Sequence, residues 1–138
     1  MIILDTNVLS ELMLQVPDPR ILDWLDGQPR ASIWTTSVTV LEARFGIQIL
    51  AQGRRRTALG EAFEQLLARM DHRIATFDAA AADHASDLMA ARHKKGRPGE
   101  FRDTMIAGIV LAQHATLATR NTDHFKDAAI SLINPWIV

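Results

Sequence analysis

Short, nearly continuous apolar runs alternate along the chain with longer stretches in which apolar positions recur every three or four residues. The first pattern fits strands and the second fits amphipathic helices. Residues 1–4, "MIIL", read as a buried strand, and a helical signal follows Asp5. In "DPRILDWL", Asp18 is placed to cap a second helix with Pro19 in its first turn, and Gly27 and Pro29 end it. "ASIWTTS" is rich in β-formers and predicts a second strand around Ser32 to Thr35. Ser37 is the expected N-cap of "VTVLEARFGIQILA", whose Val38, Leu41, Phe45 and Ile49 form one apolar stripe. A further helix covers about 57–69, with Leu59, Phe63, Leu66, Leu67 and Met70 apolar. "HRIATFD" holds a short third strand, after which Asp78 caps a helix carrying Ala82, Ala85, Leu88 and Met89. The next helix opens near Gly99 or Glu100 and runs through "FRDTMIAGIVLAQHA". "ATLATRN" and "AISLINPW" supply strands four and five.

Strands separated by helices of this length predict an α/β fold with a mostly parallel central sheet of about five strands flanked by helices. Such sheets are buried on both faces, which accounts for "MIIL" and "ATLAT" as unbroken apolar runs. No repeat, low-complexity stretch or linker interrupts the pattern, so residues 1–138 are expected to form a single domain. A chain of that length buries a core without covalent staples.

Composition narrows the chemistry. There is no cysteine, which excludes disulfides, thiolate ligands and thiol nucleophiles. The formal net charge is -1, so a polyanion would need a local basic surface. Two segments offer one, "GRRR" at 53–56 and "RHKKGRPG" at 92–99, though each reads more readily as a solvated helix end or loop than as a binding patch. Asp5 interrupts the only apolar run near the start, and no run is long enough to cross a bilayer, so the expected location is cytoplasmic, without membrane contact.

Asp5 then stands out, because a carboxylate at the end of a buried strand is costly unless it is paired. It reads either as a helix N-cap or as a metal ligand. Open parallel sheets bind ligands beyond the carboxyl ends of their strands, and Asp5 lies at such an end. Three other acids have comparable settings: Glu42 early in an apolar helix after strand two, Asp103 near the start of the most apolar helix, and Asp123 after strand four. Each has a simpler explanation too. Glu42 could pair with Arg44 or Arg69, Asp103 could serve the helix dipole, and Asp123 could cap a turn. A parallel sheet gathers these segments, and gathered carboxylates repel unless a cation neutralises them. With oxygen donors and no cysteine, that cation is Mg²⁺ or Mn²⁺, which suits phosphoryl chemistry. No glycine-rich phosphate loop, HExxH pair or GxSxG elbow is present. "DTN" also departs from the DxD of aspartyl phosphatases. The five histidines read as surface or packing residues.

Four ordered blocks, "MIILDTNVLSEL", "TTSVTVLEARFGI", "FRDTMIAGIVLAQHATLATRNTDHF" and "LINPW", resemble the PIN-domain ribonucleases, and among them the VapC/FitB type of toxin from bacterial toxin–antitoxin pairs. The resemblance spans essentially the whole chain. It implies a PIN-like fold in which Asp5, Glu42 and Asp103 are catalytic metal ligands for one or two Mg²⁺ or Mn²⁺ ions. For the fourth acidic position the chain offers Asn121 and Asp123. Asp123 is favoured as the charged member, and Asn121 is kept as a neutral occupant. Thr6, Asn7 and Thr119 match supporting positions. The implied activity is hydrolysis of RNA phosphodiester bonds, leaving 5′-phosphate and 3′-hydroxyl ends. The implied partners are the RNA substrate, a cognate antitoxin protein and a second copy in a homodimer, with higher toxin–antitoxin assemblies open and operator DNA reached only through the antitoxin. Arg92, Lys94, Lys95 and Arg97 are the candidates for RNA backbone contact. The competing expectations are a catalytically silent module of the same fold that binds an antitoxin or other protein, and a nuclease directed at DNA.

Overall fold

The computed structural model describes residues 1–138. Its elements follow the predicted order: β1 (Ile2–Leu4), α1 (Thr6–Leu12), α2 (Pro19–Asp26), β2 (Ile33–Thr36), α3 (Ser37–Gln48), α4 (Arg54–Arg69), β3 (Ile74–Ala75), α5 (Ala79–Lys94), α6 (Phe101–Gln113), β4 (Thr116–Ala118) and β5 (Ser131–Ile133), with short 3₁₀ turns at Arg30–Ser32 and Thr122–Phe125. The five strands lie in the order β3-β2-β1-β4-β5, and every neighbouring pair is parallel.

Strand periodicity divides the core between the two faces of the sheet. Ile3, Ala75 and Leu117 belong to one cluster, closed by Leu88 of α5 and by Ile106, Ile109 and Val110 of α6. Leu4, Ile33 and Ala118 belong to the other, closed by Val8, Leu9, Ile21, Trp24, Phe63 and Leu67 from α1, α2 and α4. The central strands therefore bury both sets of side chains, which is why β1 and β4 appear in the sequence as nearly unbroken apolar runs, whereas the edge strand β5 leaves Ser131 exposed. Helices α5 and α6 approach closely at Gly108, where a Cβ would stand 2.4 Å from the Ala81 carbonyl oxygen and 2.8 Å from the Ala85 Cβ. No helix is long and apolar enough to cross a membrane.

Three local expectations are corrected. Thr36, not Ser37, caps α3: its Oγ1 accepts from the Thr39 N–H at 3.0 Å. Ser37 instead accepts from the Phe77 N–H at 3.1 Å, tying α3 to the segment after β3. Helix α4 begins at Arg54, so Arg54 to Arg56 form its first turn, with Arg54 and Arg55 exposed and Arg56 half-buried. In α3, only Val38 of the predicted stripe is buried, while Leu41, Phe45 and Ile49 are 60%, 57% and 66% exposed. The helix packs instead through Val38 and Thr39, with Val40, Ala43 and Ile47 half-buried beside them. This orientation turns Glu42 toward the end of β1 and leaves the second apolar face uncovered.

Candidate active site at the carboxyl ends of the strands

Asp5 follows the last residue of β1 and continues its ladder, its N–H donating to the Ala118 carbonyl at 2.9 Å. It is also the N-cap of α1, with Oδ1 accepting from the Thr6 N–H at 2.8 Å. The cap and the buried acid are thus one residue in both roles. Its Oδ2 accepts from the Thr119 hydroxyl at 2.7 Å and from Asn7 Nδ2 at 3.3 Å. All these donors are neutral, and Asp5 is only 4% exposed. Burial pushes its carboxyl above the ordinary aspartate range; the Thr119 and Thr6 hydrogen bonds oppose that shift, and the nearby Asp103 and Glu42 charges add to it.

The supporting residues form a connected scaffold. Thr119 is fully buried; its Oγ1 accepts from Asn7 Nδ2 at 3.2 Å and from the Asn121 N–H at 3.0 Å. Asn7 Oδ1 accepts from the Arg120 N–H at 3.0 Å, so one side chain joins the ends of β1 and β4. The Thr6 hydroxyl donates to Glu42 Oε1 at 2.9 Å and lies 3.2 Å from Thr39 Oγ1. Thr39, which sequence reasoning passed over, is fully buried between Thr6 and Thr36.

Glu42 reaches the site from the second turn of α3. Its cationic neighbour is Arg102 Nη1 at 3.7 Å, not Arg44 or Arg69. Arg44 pairs instead with Glu64 at 2.8 Å. Asp103 lies in the first turn of α6, its N–H held by the Glu100 side chain at 2.9 Å. Asp103 Oδ2 meets His124 Nδ1 at 2.9 Å.

The fourth position differs from the sequence expectation. Asp123 is 80% exposed and pairs with Lys126 at 2.6 Å, and the Lys126 hydrogen bond holds its carboxyl below the usual range. Asn121 is exposed and contributes its backbone N–H to Thr119. Beyond Thr119, His124 is the residue after β4 whose side chain bonds to the acidic group. Nothing in the sequence singled it out from the other histidines, because its role depends on the direction taken by one 3₁₀ turn.

Arg92 also departs from the RNA-contact expectation. Its guanidinium is buried and gives two bonds to Asp127, at 2.9 and 2.8 Å, one to Thr104 Oγ1 at 2.7 Å and one to the His124 carbonyl at 2.9 Å. It holds the turn carrying His124 against α5 and α6. Lys94, Lys95 and Arg97 are exposed. Arg97 and Lys126 line a depression shared with Asp103, Asp123 and His124.

The donor set is hard oxygen with one imidazole, and Asp5 is raised by burial and further by two neighbouring negative charges. That chemistry fits a divalent cation. As the side chains stand, no three acidic or histidine groups converge closely enough to ligate one ion. Arg102 lies beside Glu42 and the His124 ring beside Asp103.

Comparison with known proteins gives this arrangement its context. The PIN domain family model matches residues 2–131. Plasmid stability protein StbB of Pseudomonas syringae pv. tomato is 38% identical over 137 residues, 99% of each chain. VapC ribonuclease Y4jK of Sinorhizobium fredii is 37% identical over 137 residues, 99% of this chain and 98% of its own. Among solved structures, FitAB bound to the IR36 DNA fragment superposes with a TM-score of 0.90 at 32% identity, covering 100% of this chain and 97% of the other. A buried aspartate ending β1, a glutamate from α3 and an aspartate opening α6, gathered on an all-parallel five-stranded sheet, therefore belong to a chain of the PIN-domain family, of the VapC/FitB toxin type.

Proposed function

We propose that the chain is a divalent-metal-dependent endoribonuclease toxin that hydrolyses RNA phosphodiester bonds and is neutralised by a cognate antitoxin. The observation that carries this reading is Asp5: a buried carboxylate with only neutral hydrogen-bond donors, raised further by two neighbouring acids. Such a charge excess is costly unless a proton or a cation offsets it, and a divalent ion would supply that offset.

Asp5, Glu42 and Asp103 would hold Mg²⁺ or Mn²⁺, which when bound lowers the pKa of a water and offsets charge on the phosphoryl oxygens. Thr119, Asn7 and Thr6 fix the Asp5 carboxylate, so its orientation needs no reorganisation when substrate arrives. Thr6 does the same for Glu42. Arg102 stands beside Glu42 as a cation able to meet a non-bridging phosphate oxygen. Hydrolysis forms a bond from the water oxygen to phosphorus and breaks the bond from phosphorus to the 3′-oxygen. The products carry a 5′-phosphate and a 3′-hydroxyl. Asp123, exposed and paired with Lys126, lies at the edge of this depression, where it would meet substrate or a second ion. Lys94, Lys95 and Arg97 present charge for the RNA backbone near the same edge.

The apolar face of α3 at Leu41, Phe45 and Ile49 supports a homodimer. A groove lined by Leu12, Leu14, Leu22 and Leu25 supports an antitoxin helix. FitAB, a structural relative, is bound to a DNA fragment; here contact with operator DNA would be made through the antitoxin.

The deciding experiment is RNA cleavage by purified protein with Mg²⁺ or Mn²⁺ and with EDTA. Wild type should cut only with metal, and Asp5→Asn should abolish cutting while melting cooperatively. Cutting by Asp5→Asn at the wild-type rate refutes the assignment, and cleavage of DNA in preference to RNA refutes the substrate. The second reading, a silent partner-binding module, draws on the engagement of Glu42 and Asp103 by Arg102 and His124. Calorimetry showing antitoxin binding but no divalent-metal binding would select it.

A further inference from the structure

Three side chains after β4 stand near enough in sequence to complete the acidic group, and the fold treats them differently. Asn121 spends its backbone N–H on Thr119, and Asp123 turns to Lys126. His124 alone bonds to an acid of the group, with Nδ1 2.9 Å from Asp103 Oδ2. Its placement is not that of a loose surface residue. The His124 N–H donates to the Asn121 carbonyl at 3.0 Å, and its own carbonyl accepts from Arg92 Nη2 at 2.9 Å. The next residue, Phe125, is 1% exposed and locks the turn into the core. The His124 side chain is 55% exposed, but a buried guanidinium and the buried Phe125 ring hold its backbone where the imidazole meets one carboxylate.

The 2.9 Å separation has a second meaning. An octahedral ion with bonds of about 2.1 Å has adjacent ligands about 3.0 Å apart. The lone pairs of Nδ1 and Oδ2 therefore flank a space that suits either one shared proton or one cation. We infer that His124 is a nitrogen ligand of the divalent-cation site, paired with Asp103, and that it biases the site toward Mn²⁺ or Co²⁺ over Mg²⁺. This rests on the metal-dependent reading above and adds the identity and selectivity of the ligand. Mg²⁺ is bound through carboxylate, phosphate and water oxygens and sheds its waters reluctantly. Imidazole suits the first-row transition ions better, so an Asp103–His124 pair discriminates where an all-carboxylate site would not. Arg92, by holding the His124 carbonyl, is a positioning residue for that ligand.

The test adds Mn²⁺ alone to the full-length protein and reads pulsed electron paramagnetic resonance for the ¹⁴N coupling of a coordinated imidazole. Mg²⁺ affinity is measured by competition against Mn²⁺. Wild type should show bound Mn²⁺ with ¹⁴N coupling. His124→Asp should lose the coupling, retain Mn²⁺ binding and lower the Mn²⁺/Mg²⁺ affinity ratio at least about tenfold, the lower end of what changes around metal ligands produce. His124→Gln should also lose the coupling, with its fold checked by circular dichroism. Bound Mn²⁺ without ¹⁴N coupling in wild type overturns the inference and leaves the metal reading standing. So does coupling that survives in both variants. Absence of any bound Mn²⁺ overturns the metal reading itself, and the inference with it.

Discussion

Gly108 sits in the middle of α6 where α5 crosses it, and replacing it with alanine tests how tightly that pair is packed. The added Cβ would stand 2.4 Å from the Ala81 carbonyl oxygen, 2.8 Å from the Ala85 Cβ and 3.1 Å from the Ala85 nitrogen. Ordinary carbon–oxygen contacts begin near about 3.3 Å, so α5 must retreat by close to an ångström at Ala81. The obstruction is backbone, and no side-chain rotation relieves it. Overpacking of this kind costs roughly 1–3 kcal/mol, and the rigid neighbour places this case at the upper end. Helix propensity returns about 1 kcal/mol for glycine to alanine, leaving a net loss of about 2 kcal/mol. With an unfolding entropy of about 2.1 cal/mol/K per residue over 138 residues, Tm should fall by about 7 °C. The assay is thermal denaturation followed by circular dichroism. Gly60→Ala in α4 is the control, because nothing lies within 4 Å of its Cβ position; it should raise stability by up to about 1 kcal/mol. Adding Ala85→Gly to Gly108→Ala should not rescue the loss, since the Ala81 carbonyl remains and a glycine inside α5 itself costs about 1 kcal/mol. A Gly108→Ala protein that melts at or above wild type would refute the close-packing argument.

Arg92→Ala should cost about 3 kcal/mol in urea denaturation, the lower end of the range for a broken buried pair, because Asp127 is 43% exposed and regains water; a loss below about 1 kcal/mol contradicts the clamp. Asp5 is held above its reference pKa of 3.8, so the native state binds its proton more tightly than the unfolded chain does. Stability from that proton is present below pH 3.8 and is lost as pH rises through the folded value. In metal-free buffer, Asp5→Asn should therefore gain stability relative to wild type from acid to neutral pH, and a difference that does not change with pH contradicts the shift. Replacing Lys94, Lys95 and Arg97 together should weaken RNA binding and flatten its salt dependence by up to about three in the log–log slope; unchanged affinity returns these residues to ordinary solvated surface.

The element order was legible because the central strands β1 and β4 are nearly continuous apolar runs buried on both faces and because Asp18 and Asp78 cap their helices as their sequence positions suggest. What escaped depended on rotation about an axis. Thr36 and Ser37 are adjacent hydroxyls, and only the bend at the end of β2 selects the capping one. Helix α3 has two apolar faces, and the one that packs carries Val38 and Thr39, with Thr39 beside Thr6. Arg92 did leave a signal: it lies four residues after Leu88 and continues the Ala81, Ala85, Leu88 stripe into the core, but the basic run around it suggested solvent. Within the candidate site, Asp5, Glu42 and Asp103 could be read from strand ends and helix starts. Asp123 against His124 could not, since one step along a 3₁₀ turn rotates a side chain by about 120°. Arg102 escaped because its partner Glu42 lies across the sheet on α3, whereas sequence favoured the nearer Arg44.

The central claim is that Asp5, Glu42 and Asp103 form a divalent-metal site. A crystal structure of the protein soaked in Mn²⁺, with an anomalous difference map, tests it most directly. The account predicts a peak bounded by these three carboxylates, with His124 Nδ1 in the coordination sphere and Arg102 displaced from Glu42. A map without a peak there, or with Mn²⁺ bound only at surface acids such as Asp123, would contradict it.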